Sequence, residues 1–484
     1  MKLNDLISGI DKIEMTGESS CDISSIEYDS REVKSGSLFI AVQGFTFDGN
    51  TFIGDAVRKG ALAVVTDRPE SRATVPIILV PDARKAGAVI ADRFYHSPQN
   101  SLVMTAITGT NGKTTTAYMV KSIFDAGGVG CGFMGTIEYV VGEKRMQSII
   151  TTPESRDIHL FLSEMIEANQ HACVMEVSSH SLALSRVHGI RFRAVAFTNI
   201  TRDHLDFHGG FREYLDAKSI LFSSLSGDST AVVNLDDPHA DYIIGVSRDV
   251  KLITFGFHEG CDIHPVSFEL KTAGSDVVVS TPLGHMEFTL SIPGKFNISN
   301  AMAATGIGLA CGFPVTTIAR GLESLKPIRG RYELIDEGQD FSVIIDYAHT
   351  PDALESILQS AREITKGRLI SVFGCGGDRD RGKRPEMGEI STRIADYSII
   401  TSDNPRTEKP EDIISDIVEG IKDKAEFKRV TDREDGIKQA LDAAGTDDTV
   451  VIAGKGHEDY QIIGTEKKYF DDGECVRRLI KALK

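Results

Sequence analysis

A chain of 484 residues is too long for one hydrophobic core, so two to four domains are expected. Its 41% apolar and 25% charged residues are those of an ordinary soluble protein, while a net charge of −17 argues against the basic stripe of a nucleic-acid translocase. Seven scattered cysteines, none in a Cys-x-x-Cys pair, together with the lack of a signal-peptide core or a membrane-length apolar run, predict a cytoplasmic protein with free thiols and no membrane insertion. Residues 1–99 alternate short strands (37–42, 61–65, 76–80) with a helix over 82–95, and carry polar turns at Tyr28-Asp29-Ser30-Arg31 and Gly44-Phe45-Thr46-Phe47-Asp48-Gly49. Those turns taken alone read as surface loops, and His96-Ser97-Pro98-Gln99-Asn100 reads as a linker.

The second region, 100–327, opens with an apolar strand over 102–107. The turn Thr108-Gly109-Thr110-Asn111-Gly112-Lys113-Thr114-Thr115 follows, and then a helix over 116–126 that stops at Gly127-Gly128. Strand, glycine-rich turn, Lys-Thr and helix form the setting of a phosphate cradle. Backbone N–H groups close around an anion and the helix N-terminus adds partial positive charge. Lys113 would hold the outer phosphates and Thr114 a magnesium ion. The usual signature places its first glycine where Ile107 stands, so this is a shortened loop, and a nucleoside triphosphate is the expected ligand. A strand over 172–177 then delivers Glu176 beside the cradle in a doubly wound sheet, where a carboxylate suits magnesium. Ser178-Ser179-His180 come next; neighbours in sequence seldom build a triad, so they read as polar ligands. The strand over 193–200 runs into Thr201-Arg202-Asp203-His204-Leu205-Asp206-Phe207-His208, a group of acids and bases suited to metal or phosphate contact. Period-two patterning over 262–294 predicts a β-hairpin excursion.

The third region, 328–484, predicts strands over 341–345, 369–373, 397–400 and 449–452. Each runs into a polar loop: Asp346-Tyr347-Ala348-His349, Gly374-Cys375-Gly376-Gly377-Asp378-Arg379-Asp380, Ser402-Asp403-Asn404-Pro405-Arg406 and Gly454-Lys455-Gly456-His457-Glu458. Ligands of open α/β sheets sit beyond the carboxyl ends of the strands, so four such loops define a second binding face.

Together these motifs resemble the Mur ligases, ATP-dependent amino-acid-adding enzymes of peptidoglycan synthesis. The resemblance is carried by Thr108 to Thr115, Glu176-Val177-Ser178-Ser179-His180, Asn199 to Asp206, Gly294-Lys295-Phe296-Asn297, Gly330-Arg331-Tyr332-Glu333 and Asp346 to His349. It implies an α/β chain of three domains: an N-terminal UDP-binding domain, a central P-loop ATPase with a mostly parallel sheet, and a C-terminal Rossmann-like domain. Thr151-Thr152-Pro153, the Gly-Gly-Asp-Arg-Asp run and Asp403-Asn404-Pro405-Arg406 are most similar to members that extend UDP-N-acetylmuramoyl-L-Ala-D-Glu. The resemblance further implies ATP and Mg2+ as cofactors and an acyl-phosphate intermediate. Gly109, Thr110, Asn111, Gly112, Lys113, Thr114, Thr115, Asn297, Arg331 and Asp346 would bind ATP. Thr114, Glu176 and His204 would bind metal, and Lys218 falls where the family carries an N-carboxylated lysine. Taken alone, Lys218 reads as a helix lysine with a solvated head. Tyr28, Ser30, Phe45, Thr46, Phe47, Thr151, Thr152, Ser178, Leu184 and Arg186 would contact the UDP-sugar peptide. Leu184 stands where a glutamine is frequent. Arg379, Asp403, Asn404, Pro405, Arg406, Gly454 and Glu458 would receive the amino acid. Arg406 favours meso-diaminopimelate over L-lysine, because a guanidinium forks onto the extra carboxylate. A folylpolyglutamate synthetase and a nucleotide switch are the remoter alternatives, and a monomer is expected.

Overall fold

The computed structural model describes residues 1–44, 47–69, 74–422 and 424–483. Five sheets form among these residues. The first contains β1 (Glu14–Thr16), β2 (Ser25–Glu27), β3 (Ser37–Ala41), β4 (Ala63–Thr66) and β5 (Ile77–Leu79), in the order β1-β5-β4-β3-β2 with β1 antiparallel. β3 and β4 are buried along their whole length, as apolar runs covered on both faces must be.

The central sheet comprises β6 (Val103–Thr108), β7 (Cys131–Met134), β8 (Glu138–Val141), β9 (Lys144–Gln147), β10 (Ala172–Glu176), β11 (Ala194–Phe197), β12 (Thr230–Asn234) and β13 (Lys251–Phe255). Their order is β13-β12-β11-β6-β10-β7-β8-β9. The strands are parallel from β13 to β7, and β8 and β9 add an antiparallel edge that the sequence reading omitted. β6 sits where the chain order reverses, between β11 and β10, and its carboxyl end opens the crevice in which such sheets bind ligands.

The excursion after β13 is larger than a hairpin. β14 (His264–Lys271), β15 (Gly274–Thr281) and β16 (Gly284–Leu290) form a three-stranded antiparallel sheet. Alternate residues Val277, Val279, Met286, Phe288 and Leu290 join the core that packs the helices Lys113–Ala126 and Lys295–Ala310 against the central sheet. The helix Lys295–Ala310 is covered on opposite sides, which explains why its sequence has no polar face.

The last large sheet holds β17 (Glu333–Ile335), β18 (Ser342–Asp346), β19 (Leu369–Phe373), β20 (Tyr397–Thr401), β21 (Phe427–Val430) and β22 (Thr449–Ala453), ordered β17-β18-β22-β19-β20-β21. Only β17 runs antiparallel. A final hairpin, β23 (Tyr460–Ile463) and β24 (Glu466–Tyr469), bears on the site described next.

Candidate active site

The phosphate loop is held in shape by its own sheet. Thr110 N–H donates to the Asn199 carbonyl (2.9 Å), Asn111 N–H to Asn199 Oδ1 (2.9 Å), and Thr198 Oγ1 to the Asn111 carbonyl (2.6 Å). Gly112 has φ 85° and caps the helix; a Cβ there would overlap the Asn300 side chain. The helix starts at Lys113 rather than Thr116, so the Lys-Thr pair occupies its positive first turn. Glu176, fully buried at the end of β10, accepts Thr114 Oγ1 (2.9 Å), Thr136 Oγ1 (2.9 Å) and Thr136 N–H (2.8 Å). Thr136 had escaped notice in the sequence, although it lies just past the end of β7, the strand beside β10.

Lys218 overturns the reading of a solvated head: it is 1% exposed. On the helix Phe211–Ser223, Tyr214, Lys218 and Phe222 share one buried face, a stripe with a cation in its middle. Lys218 Nζ donates to the Gly109 carbonyl at 2.7 Å, and Lys113 Nζ donates to the same oxygen at 2.9 Å. Burial, reinforced by the Lys113 cation, pushes the Lys218 amine well below the usual lysine range. His204 lies beside Asp203 (3.2 Å) and edge-on to His180; burial pushes its imidazole down to about 4.

A cavity of about 270 Å3 runs over this loop. Thr110 to Thr115, Thr151, Ser178, His204, Arg331 and Asp346 line it. Arg331 lies over the Tyr347 ring (4.7 Å) and donates to Thr114 Oγ1 (3.2 Å). Asp346 Oδ2 accepts Tyr332 N–H (2.8 Å), and burial raises its carboxyl above the usual range. Asn297 stands behind the wall, 1% exposed and bonded to Asn300, which together with Ser299 faces the cavity. Asp352, unremarked in the sequence, reaches across from the third region to accept Asn111 Nδ2 (2.7 Å).

A second cavity, about 320 Å3, receives all four loops of the last large sheet. Arg379, Asp403, Asn404, Arg406, Gly454 and Glu458 line it, while Pro405 is buried behind. Arg406 Nη1 donates to the Gly377 carbonyl (2.8 Å), and neither Arg406 nor Arg379 has a carboxylate partner among the described residues. The Arg406 backbone is braced by the final hairpin: its N–H donates to Ile462 and its carbonyl accepts Gly464 N–H (2.7 Å). Asn404 Nδ2 donates to Glu458 Oε2 (2.9 Å); burial, with Asp403 nearby, raises the Glu458 carboxyl. Asp203, His204, Tyr347 and His349 line both cavities, so the two are adjoining rooms with one wall.

A third polar group lies where the first region meets the central sheet. Tyr28 OH meets Ser155 Oγ at 3.1 Å; Glu154 accepts Arg186 (2.8 Å) and Arg84 (3.4 Å); and Arg186 also reaches the Thr152 carbonyl (3.1 Å). Ser178 N–H donates to Thr152 Oγ1 (3.1 Å), and Thr151 Oγ1 meets Thr136 Oγ1 (3.2 Å), which joins this group to the phosphate cavity. Ser30 lies on a turn where its carbonyl accepts Lys59, Phe47 is 70% exposed, and Leu184 ends a short helix; none joins these hydrogen bonds among the described residues. Phe45 and Thr46 lie outside the described residues. Arg84, Glu154 and Ser155 were missed because only the fold brings 84 and 154 together.

A phosphate loop at the switch point of one parallel sheet, facing a charged cavity at the edge of a second, defines a nucleotide-using α/β enzyme of several domains. Residues 22–95 match the catalytic domain of the Mur ligase family, residues 107–308 the Mur ligase middle domain, and residues 330–456 the Mur ligase glutamate ligase domain. The UDP-N-acetylmuramoyl-L-alanyl-D-glutamate–2,6-diaminopimelate ligase of Bacillus licheniformis is 43% identical over all of both chains. A solved structure of a ligase with that name superposes with a TM-score of 0.70 at 31% identity, covering 100% of this chain and 99% of the other. The MurF ligase of Thermotoga maritima, solved in complex with ADP, shares the fold at a TM-score of 0.66 and 19% identity, over 95% of this chain and 98% of its own. The chain belongs to the Mur ligase family. Among the described residues no helix is long and apolar enough to cross a membrane.

Proposed function

We propose that the chain is a cytoplasmic, ATP-dependent ligase that adds meso-2,6-diaminopimelate to UDP-N-acetylmuramoyl-L-Ala-D-Glu. The observation that carries this reading is the pair of adjoining cavities, one built on a phosphate loop and the other holding two guanidiniums without carboxylate partners. The names of full-length relatives at this identity support it.

In this reading ATP lies along Gly109 to Thr115, with Lys113 on its outer phosphates and Asn297, Arg331 and Asp346 around the nucleoside. The UDP-sugar peptide enters past Tyr28, Thr151, Thr152, Ser178 and Arg186 and presents its D-glutamyl carboxylate at the shared wall. Phosphoryl transfer to that carboxylate brings two anions together, and the loop N–H groups and Lys113 offset the repulsion. The amino acid waits next door. Asp403 and Glu458 orient an ammonium, Arg379 and Arg406 fork the far carboxylate, and the free amine attacks the acyl carbon as phosphate leaves. L-Lysine has no far carboxylate and would leave both guanidiniums unpaired, that of Arg406 half-buried.

The donor set fits Mg2+. Thr114 Oγ1 and Glu176 Oε2 are hard oxygen donors 2.9 Å apart beside the phosphate loop, and Mg2+ takes few protein ligands when phosphate oxygens complete its shell. Thr114, Glu176 and His204 would hold it, with Lys218 as a carbamate; bound there, Mg2+ neutralises charge on the transferring phosphoryl group. Lys218 fits carboxylation, since carbon dioxide reacts only with a neutral amine and burial already disfavours the ammonium.

The deciding assay is phosphate release with UDP-N-acetylmuramoyl-L-Ala-D-Glu, ATP and Mg2+, comparing meso-diaminopimelate with L-lysine. Release with diaminopimelate alone is expected. Preference for lysine would overturn the specificity, and silence with both in protein that binds ATP would overturn the acceptor.

A further inference from the structure

Behind the two guanidiniums of the amino-acid cavity sits a carboxylate that does not line it. Glu408 lies just past the Asp403-Asn404-Pro405-Arg406 loop, and four donors converge on its two oxygens. Arg384 grips both, Nη2 on Oε1 at 2.8 Å and Nη1 on Oε2 at 3.0 Å. Asp378 N–H donates to Oε1 at 2.6 Å and Arg381 to Oε2 at 2.9 Å. Asp378 precedes Arg379, and Glu408 lies two residues past Arg406, so this one side chain ties the loop bearing the first guanidinium to the loop bearing the second. Further stitches lie alongside: Thr407 Oγ1 donates to Asp378 Oδ1 (2.8 Å), and Gly377 N–H to the Asn404 carbonyl (2.9 Å). Arg384 is itself fully buried on the helix Lys383–Ile394, and is held by Asp416 (2.8 Å) and the Gly376 carbonyl (3.2 Å).

Stability alone is a poor account of this arrangement. A buried ion pair seldom outperforms apolar residues of the same volume, because desolvation offsets the attraction. Arg384 Nε, moreover, finds no partner among the described residues. What the ions supply is position. Arg379 and Arg406 repel each other, and burial together with Arg379 disfavours the Arg406 cation. Two loops carrying like charges need a tether, and a bidentate guanidinium–carboxylate pair is the stiffest that side chains offer. Its hydrogen bonds to Arg384 push the Glu408 carboxyl down to about 2, so it stays ionised throughout the working pH range.

We propose that Glu408, fixed by Arg384, is a positioning residue that sets the separation of the Arg379 and Arg406 guanidiniums and thereby selects an amino acid with a second carboxylate. The inference rests on the reading of this cavity as the diaminopimelate site. Misplacing one arm of a fork by about 1 Å lowers its yield on the order of 10- to 100-fold. The loss should fall on the amino acid alone, since Glu408 touches neither the phosphate loop nor Thr152 and Arg186.

The test uses the full chain as wild type, Glu408→Gln, and Asp378→Asn combined with Thr407→Val. Both residues of the double variant are exposed, and asparagine accepts the positive φ (53°) of position 378, so folding is not at stake there. Amino-acid-dependent phosphate release gives KM and kcat, and hydroxylamine trapping of the acyl phosphate reports the first half-reaction without the amino acid. Glu408→Gln should raise KM for diaminopimelate on the order of 10- to 100-fold, with kcat and acyl-phosphate yield near wild type and the preference over lysine narrowed. The double variant should show the same pattern at roughly 3- to 10-fold, the scale of lost exposed hydrogen bonds. Unchanged KM in both variants, or a fall of kcat and acyl-phosphate yield as large as the rise in KM, overturns the inference; if Glu408→Gln does not fold, the double variant decides. A wild-type chain that ignores diaminopimelate overturns the underlying reading, and the inference with it.

Discussion

Stripping carbon dioxide from the buffer should slow this chain as severely as deleting a catalytic side chain, and Lys218 is the reason. Its amine and that of Lys113 donate to one carbonyl, at 2.7 and 2.9 Å, which places the two nitrogens within about 6 Å of each other. At an effective dielectric near 20, two unit charges at that distance interact by roughly 3 kcal/mol, so the Lys218 ammonium is disfavoured beside the Lys113 cation. Carboxylation of the neutral Lys218 amine would place an anion there, attracted to the Lys113 cation by an energy of similar size. An attraction of about 3 kcal/mol is on the order of a hundredfold in rate. Phosphate release should therefore drop on that scale in carbon-dioxide-free buffer and return with bicarbonate, and 13C-bicarbonate should yield a carbamate carbon signal that Lys218→Gln lacks. Lys218→Arg, a permanent cation, should be as slow as the stripped enzyme, and Lys218→Ala should recover in part with millimolar acetate. Activity indifferent to bicarbonate, joined to a Lys218→Arg variant of near-normal rate, would refute the reasoning.

Three further outcomes follow. Arg406→Ala truncates one arm of a charged fork, a loss worth about 2–5 kcal/mol, so kcat/KM for diaminopimelate should fall at least 30-fold while slow turnover of lysine is unchanged; equal losses would make Arg406 a structural residue. Arg202 links the Asp203–His204 loop to Asp380 (3.2 Å) and Glu386 (3.1 Å) of the third region, and exposed pairs of this kind add under about 1 kcal/mol each. Arg202→Ala should thus leave the melting temperature nearly untouched yet abolish the compaction that small-angle scattering should detect when an ATP analogue and the UDP-dipeptide bind; a variant that compacts like wild type rules out the clasp. His159, 1% exposed, is pushed down from 6.5 to about 4 by burial, so its contact with Asp92 at 3.5 Å is made by a neutral ring. The unfolded chain binds the extra proton between those values, so stability is full above pH 6.5 and declines as pH falls toward 4, by up to about 1.4 kcal/mol per unit. His159→Leu should flatten that decline in melts from pH 7 to 5, and an unaltered slope would assign it elsewhere.

Much of the fold was legible because its signals are local. The strand 369–373 is read residue for residue, since an apolar run between polar turns has few other uses. The phosphate loop, Glu176 and the four charged loops were legible for the same reason: each lies at or directly past the carboxyl end of a strand. What escaped depends on distant partners. Nothing near Asp352 hints that it meets Asn111, nor near Glu408 that Arg384 lies beneath it. The hairpin β23–β24 has strands of only four residues, Tyr-Gln-Ile-Ile and Glu-Lys-Lys-Tyr, which lack the alternation that marks a half-buried strand, although it fixes the Arg406 backbone. Lys218 misled because a cation on a helix is ordinarily solvated; the apolar neighbours at positions 214 and 222 were the clue. The excursion was one strand short because β14 is largely exposed, and its residues lack a buried face to announce it.

On the proposed reading, the side chains that would discriminate among amino acids all lie on loops after β19, β20 and β22, whereas the nucleotide's phosphates would rest on the loop after β6. On that reading, choice of building block and use of energy are written in separate stretches of the gene, and revising the later stretch would change the amino acid added while leaving the phosphate loop intact. For the engineer, grafts that cross over near the short connector ahead of β17 are the natural route to ligases that load unnatural diacids.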